Sequence, residues 1–278
     1  MLPLFVIVFA GGYALLVACF LFGVLAIREF FNGFENIGIK PSKLIAYISA
    51  VALYAIDVFS WSGASMGLVS VWLGSPTGLT PFWGRQSEMV MLWFACVVIA
   101  SLLYTFNVEK RSLADGAFTI TGIIYIIFLS HHITLVDRLW DGASPVSVMV
   151  WLIFLSAFGT DVMAYFTGSA IGKHKLCPSI SPKKTIEGAI GGTIGSVIIC
   201  GAFGYFLANE YFVHCLIIGA LGGIVSQLGD LTASVFKRKM GIKDYGNLIP
   251  GHGGVLDRVD SVLFTAPFVY YYYTFIII

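Results

Sequence analysis

Residues 230–260 read DLTASVFKRKMGIKDYGNLIPGHGGVLDRVD. In a chain that is otherwise nearly all apolar, this stretch gathers five basic side chains (Lys237, Arg238, Lys239, Lys243, Arg258) and four acidic ones (Asp230, Asp244, Asp257, Asp260). It begins inside one long apolar segment, 211–236, and ends where another, 261–278, begins. Carboxylates that close to apolar segments, as Asp230 and Asp257 are, are expensive unless something pairs with them. Between them Pro250-Gly251-His252-Gly253-Gly254 forms a turn whose glycines let backbone amides approach a phosphate. Carboxylates, lysines and arginines around such a turn make a site for a metal ion and a polyphosphate.

The rest of the chain sets this island in a membrane. The 278 residues are 58% hydrophobic and 11% charged, against roughly 25% charged in a soluble domain, and the mean hydropathy is +0.89. Eight long apolar segments, at about 3–27, 44–60, 88–106, 116–135, 145–170, 187–208, 211–236 and 261–278, predict an all-α polytopic membrane protein. Its transmembrane helices number eight, or nine if residues 61–87 also cross. Those residues are broken by Gly and Pro and carry Trp61, Trp72 and Trp83, which favours a re-entrant or interfacial segment. No charge precedes Arg28, so the first segment lacks the basic region of a secretory signal and reads as a retained span.

Basic residues set the orientation. The loops after the first, third, fifth and seventh segments hold fourteen of the sixteen, leaving only Arg85 and Arg138 on the other side. By the positive-inside rule the basic loops face the cytoplasm and both termini face outward. The net charge of +1 carries no comparable information. Five scattered cysteines form no CxxC pair and read as small buried hydrophobes. His131-His132 and Asp57 fall near outer span ends, where an interfacial pair and a solvated carboxylate are expected.

Residues 1–142 read as a transmembrane scaffold and 143–278 as the catalytic region. In the latter, Asp161, Tyr165, Gly168 and Gly172 share one helical face. An aspartate that deep in an apolar span points to function, or else to a structural partner for a lysine of the next loop. In that loop Ser181-Pro182 predicts a helix start, with Lys183 and Lys184 in the first turn and Lys183 able to pair with Glu187. The following Gly188-AIGG run permits close helix packing. Gln227, Asp230, Ser234 and Lys237 form a polar stripe that looks like a cavity wall, and Asp257 and Asp260 share a face where the last span begins.

Two motifs carry a resemblance. The pattern Ser234-x-Phe236-Lys237-Arg238-x4-Lys243-Asp244-x-Gly246-x2-Ile249-Pro250-x-His252-Gly253-Gly254-Val255-x-Asp257-Arg258-Val259-Asp260 resembles the signature of the phosphatidate cytidylyltransferases without a departure at a fixed position. SPKKTxEG, residues 181–188, is similar to a second motif of the same family. The resemblance is strong over 143–278 and rests on general hydropathy over 1–142. It implies transfer of the cytidylyl group of CTP to phosphatidic acid with Mg²⁺, and leaves room for a second ion. Asp230 and Asp257 would hold the metal, while Lys183, Lys184, Lys237, Arg238, Lys243 and Arg258 would hold the phosphates. The turn around His252, with Gly253 and Gly254, would supply backbone donors. Asp161, Ser234, Asp244 and Asp260 complete the candidate substrate contacts. The implied partners are CTP, phosphatidic acid and the bilayer, with no nucleic acid, and a homodimer is compatible with them. The implied location is a bacterial plasma membrane with the site facing the cytoplasm. A CTP-dependent lipid kinase and a transporter are the competing readings. The first would share the CTP and metal chemistry; the second would explain intramembrane aspartates but not the basic glycine-rich loop.

Overall fold

The structure, a computed structural model, describes residues 8–65, 86–139, 147–246 and 253–277. Trp72, Trp83 and most of the expected re-entrant stretch lie outside the described residues, as do Pro250, Gly251 and His252. The chain forms α1 (Gly12–Glu35), α2 (Lys43–Ser65), α3 (Gln86–Tyr104), α4 (Leu113–Gly122), α5 (Leu129–Arg138), α6 (Val148–Ile171), α7 (Ile186–Leu207), α8 (Phe212–Lys239) and α9 (Asp260–Tyr272). A π-helical stretch, Ile123–Phe128, joins α4 to α5 without a break, and another, Tyr273–Ile277, continues α9. Each of the eight apolar segments is thus helical over most of its described residues. Among the described residues six helical stretches, including the fused Leu113–Arg138, are long and apolar enough to cross a membrane. The protein is an all-α polytopic membrane protein.

Burial distinguishes faces that composition cannot. On α1 the buried residues Leu15, Cys19, Gly23, Ala26, Phe30 and Phe34 recur every three or four positions, the period of a single helical stripe. Tyr13, Val17, Leu21 and Leu25, equally apolar, are exposed on the other side. Phe30 meets Phe34, Tyr125, Phe236 and Tyr245 with ring centroids 5.0–6.0 Å apart. This aromatic cluster fastens α1 to the end of α8 and to the loop beyond it. Cys19, Cys200 and Cys215 are buried as expected, whereas Cys96 lies on an exposed face of α3.

Small residues bring the C-terminal helices together. A Cβ added at Gly192 on α7 would lie 2.9 Å from the Thr160 carbonyl oxygen of α6. One added at Gly219 on α8 would lie 2.9 Å from both the Ser196 carbonyl oxygen and Val197 Cα of α7. Because the obstacle at Gly219 is backbone, Gly219→Ala should destabilise the fold by about 1–3 kcal/mol, the usual cost of overpacking. Thermal unfolding in detergent would show it; an unchanged midpoint would mean that the two helices separate freely.

Two expectations are corrected. The segment beginning at Ser181 is a strand, not a helix: β2 (Ser181–Thr185) pairs antiparallel with β1 (Lys175–Cys177). The helix starts at Ile186, and Thr185 is its cap, its Oγ1 accepting the Gly188 N–H at 3.1 Å. Threonine satisfies an orphan amide as serine would, and starting four residues later frees the lysines into an extended arm. Lys183 and Glu187 therefore share no helical face. Glu187 instead accepts from His174 Nδ1 at 2.6 Å and from the backbone N–H groups of Lys173 and His174.

The second correction concerns Asp57, His131 and His132, which are not at a wet interface but 0–1% exposed. Asp57 Oδ2 is 2.8 Å from His131 Nε2. The same carboxylate accepts from Thr134 Oγ1 at 2.9 Å and Gln86 Nε2 at 3.1 Å, and Arg138 Nη1 is 3.2 Å away. His132 Nδ1 sits 2.9 Å from the Phe128 carbonyl oxygen, edge-on to Tyr270. Asp137 of the same helix end accepts the Gly12 N–H at 2.7 Å. A buried charge must be paired, and residues from α2, α3 and α5 do the pairing here.

Candidate active site

The polar stripe of α8 faces its neighbours as the spacing predicts. Gln227 Nε2 donates to Thr193 Oγ1 at 3.0 Å and to the Ala189 carbonyl oxygen at 3.2 Å, both on α7. One turn on, Asp230 pairs with Lys184 of β2 at 2.5 Å. At the far end of the stripe Lys237 Nζ lies 2.8 Å from Asp257 Oδ1. Ser234, between them, is half-buried. Thus α8 carries one carboxylate answered by the hairpin and one ammonium answered by the loop after it.

Asp161 on α6 and Asp260 at the start of α9 close the group from the other side. Asp161 Oδ2 accepts from Ser261 Oγ at 3.0 Å, and Asp260 Oδ1 accepts the Ser261 N–H at 2.9 Å. Asp230 lies within electrostatic reach of both, and Asp260 also feels Lys237. Asp257 and Asp260 are therefore not two members of one face. Asp257 stands in a single 3₁₀ turn, Leu256–Arg258, before α9 begins.

A cavity of about 390 Å³ opens where α6, α7, α8 and β2 meet, and four sequence-predicted residues line it: Asp161, Lys183, Lys184 and Asp230. Tyr165, Gly168 and Gln227 line it too, together with Thr185, whose part as helix cap the sequence did not disclose. Lys237, near the end of α8, forms a second group with Asp257, Gly253 and Gly254 of the following loop. Lys243, Asp244 and Arg258 are exposed around that group. Arg238 Nε donates to the Ile180 carbonyl oxygen at 3.1 Å, strapping the β1–β2 turn to the end of α8.

The loop after α8 is built inward around two carboxylates. Asp257 Oδ2 accepts the N–H groups of Tyr245 at 2.8 Å and Gly254 at 3.0 Å. Gly253 has φ 84°, a left-handed conformation that glycine adopts at no steric cost. Glu29, on α1, accepts the Val255 and Leu256 N–H groups at 3.0 Å each. The amides of 254–256 are thus committed within the protein, which corrects the expectation that Gly254 offers its N–H to a phosphate. Tyr245 donates its hydroxyl to the Ala233 carbonyl oxygen at 3.0 Å, and its ring lies 5.4 Å from Lys237 Nζ. Burial holds that phenol protonated by pushing its pKa well above the ordinary value, and Tyr125 and the Asp260 and Asp257 carboxylates add to the shift.

Sequence reasoning missed Tyr245 and Glu29. Tyr245 is an aromatic among charges, a weak signal. Glu29 ends an apolar run beside Arg28, and nothing local links it to a loop more than 200 positions away.

Among the described residues no group of three or more His, Cys, Asp or Glu is gathered to hold an ion. A hard cation bound to phosphate needs only one or two protein carboxylates, the substrate and water supplying the rest. Asp230, a quarter exposed on the cavity, offers one. Asp257 already has three donors, and a carboxylate has about four lone-pair positions. The residues present therefore fit an ion carried in with a phosphate.

The sequence is 32% identical over 265 residues to the phosphatidate cytidylyltransferase of Staphylococcus haemolyticus, covering 94% of this chain and 90% of that protein. The enzyme of the same name from Bacillus subtilis is 34% identical over 246 residues, 84% of this chain and 89% of the relative. That from Synechocystis sp. is 48% identical over 116 residues, 41% of this chain and 39% of the relative. The sequence model of the Cytidylyltransferase family matches residues 1–276. With the match running almost end to end, the lysines, carboxylates and glycine turn assembled above stand in a chain that belongs to the cytidylyltransferase family.

Proposed function

We propose that this chain transfers the cytidylyl group of CTP to phosphatidic acid, giving CDP-diacylglycerol and pyrophosphate, as a step of phospholipid biosynthesis. One observation carries the reading: the cavity is charged at one end and runs into an apolar groove at the other. Leu176, Ala189, Gln227 and Leu231 border both. The groove, about 460 Å³, continues along α7 and α8 past Ile190, Ile194, Ile224 and Leu228, which are 50–57% exposed. An anionic head group with an acyl chain matches both ends. A soluble phosphate ester would leave the groove unused.

In this reaction a phosphate oxygen of the lipid bonds to the α-phosphorus of CTP. The bond from that phosphorus to the bridging oxygen breaks, and pyrophosphate leaves with the electron pair. Both reactants are anions, so neutralisation and in-line positioning are what the protein must supply. Lys183 and Lys184, on the cavity, suit the lipid phosphate. Lys237, Lys243 and Arg258, beside the glycine turn, suit the triphosphate. Lys184 and Lys237 would turn from Asp230 and Asp257 towards phosphate as substrates arrive. Asp230 and Asp257 would hold Mg²⁺, which when bound supplies Lewis-acid stabilisation of charge on the phosphate oxygens. Arg238 would act indirectly, by holding the hairpin that carries the two lysines.

The basic ends of the helices set the membrane orientation in this proposal, with the site on the cytoplasmic side of a bacterial plasma membrane. Lys239 is exposed at the end of α8. A single cysteine there, in a background without the five native ones, should resist an impermeant thiol reagent in intact cells and react after lysis. Labelling before lysis would invert the orientation.

The reaction class is tested with purified protein, phosphatidic acid, Mg²⁺ and labelled CTP. Label at the α-phosphorus should appear in lipid, and label at the γ-phosphorus should leave as pyrophosphate. Lipid labelled from the γ position would establish a lipid kinase instead. No lipid labelling from either would point to transport.

A further inference from the structure

We infer that Glu29, in the first helix, is a positioning residue of the nucleotidyl-transfer site, and that Gly246 and Gly254 are glycines because its carboxylate occupies the space their side chains would need. The inference rests on the proposed reaction for its kinetic consequences, but its geometry stands alone. Glu29 Oε1 accepts the Val255 N–H and Oε2 accepts the Leu256 N–H, each at 3.0 Å. Asp257 accepts the preceding amide, that of Gly254, at 3.0 Å. Three consecutive N–H groups are thereby shared between a carboxylate of the first helix and one of the signature itself.

The fit around Glu29 leaves no slack. A Cβ added at Gly246 would lie 2.6 Å from Glu29 Oε1, with Glu29 atoms its three nearest neighbours. A Cβ at Gly254 would lie 2.5 Å from Oε2 and 2.7 Å from the Gly246 nitrogen. The loop closes on the carboxylate from two sides. The amides that Glu29 accepts open the 3₁₀ turn Leu256–Arg258, which carries Asp257 and Arg258. Orphan N–H groups at the start of such a turn present partial positive charge, and an anion is stabilised there. Glu29 thus sets the turn from which the proposed metal carboxylate and a phosphate-binding arginine both project. Residues that orient a ligand-bearing group typically matter about 10–100-fold in activity or metal affinity.

The test uses full-length protein in detergent. Glu29→Gln keeps the size but replaces one acceptor by an NH₂ that faces an N–H. It should lower kcat about 10–100-fold and raise the Mg²⁺ concentration needed for half-maximal rate, while the KM for phosphatidic acid stays within a few-fold. Amide hydrogen exchange in residues 253–258, which needs no turnover, should speed up in the same variant. Gly246→Ala should give the same defect by pushing the Glu29 side chain aside, and much less of one when Glu29→Asp shortens that side chain. Two changes that act through one contact are non-additive. Additive effects of Gly246→Ala and Glu29→Asp would overturn the inference. So would unchanged exchange at 253–258 in Glu29→Gln, or a fall in melting temperature with kcat and Mg²⁺ dependence intact. If Glu29→Gln does not fold, the Gly246→Ala and Glu29→Asp pair decides alone. A wild-type protein that fails to put α-label into lipid would overturn the proposed reaction, and the exchange result would still judge the positioning.

Discussion

Asp230→Asn should lower kcat roughly 10²–10³-fold, the loss expected when about 3–4 kcal/mol of charge stabilisation is removed from a transition state. Folding should survive. The Asp230–Lys184 pair is about a quarter exposed on both sides and lines the cavity, so water can reach Lys184 once the carboxylate is gone, and the cost to stability should stay below that of stranding a buried charge. Activity and stability therefore separate at this position. At Asp257 they should not. Its side chain is 6% exposed, and it answers Lys237, 15% exposed, as well as two backbone amides. Asp257→Asn strands a mostly buried ammonium, so both turnover and melting temperature should fall. The measurement is kcat against Mg²⁺ concentration beside a thermal melt for each variant. Turnover by Asp230→Asn within about twofold of wild type at saturating Mg²⁺ would remove Asp230 from the chemistry.

The largest effect on stability should come from the opposite end of the molecule. Asp57→Ala leaves Arg138 and His131 without the carboxylate they share, and removing one partner of a buried ion pair typically costs about 3–5 kcal/mol. The melt should move down by several degrees. The described partners of Asp57 are His131, Arg138, Gln86 and Thr134, none of them assigned to the reaction, so kcat per folded molecule should stay near wild type at a temperature where the variant remains folded. Asp57→Asn should cost less, since the amide still accepts from Thr134 or Gln86. A variant with alanine at 57 that melts like wild type would mean water already reaches this cluster.

Apolar runs and the positions of charge were enough to determine, from sequence alone, that this is a helical membrane protein. They also singled out the charged stretch in which its chemistry is proposed to lie. A run of about twenty apolar residues must be a helix in a bilayer, because every backbone group has to find its partner within the segment. A charge inside such a run must have a reason. The stripe Gln227, Asp230, Ser234, Lys237 was legible for the same cause: helical spacing alone puts those residues on one face. What the helical period could not decide was which charge meets which. Asp57 reads as solvated until α3 and α5 bring Gln86, His131, Thr134 and Arg138 to it. The lysine arm reads as a helix because Ser181-Pro182 is an acceptable start, and pairing with β1 draws residues 181–185 into a strand instead, so that the helix begins at Ile186. Glu29 was invisible for the plainest reason. Its partners are backbone amides that lack a side-chain signature, and they lie at the other end of the chain. Only tertiary packing, which places α1 against the loop after α8, makes that carboxylate part of the site.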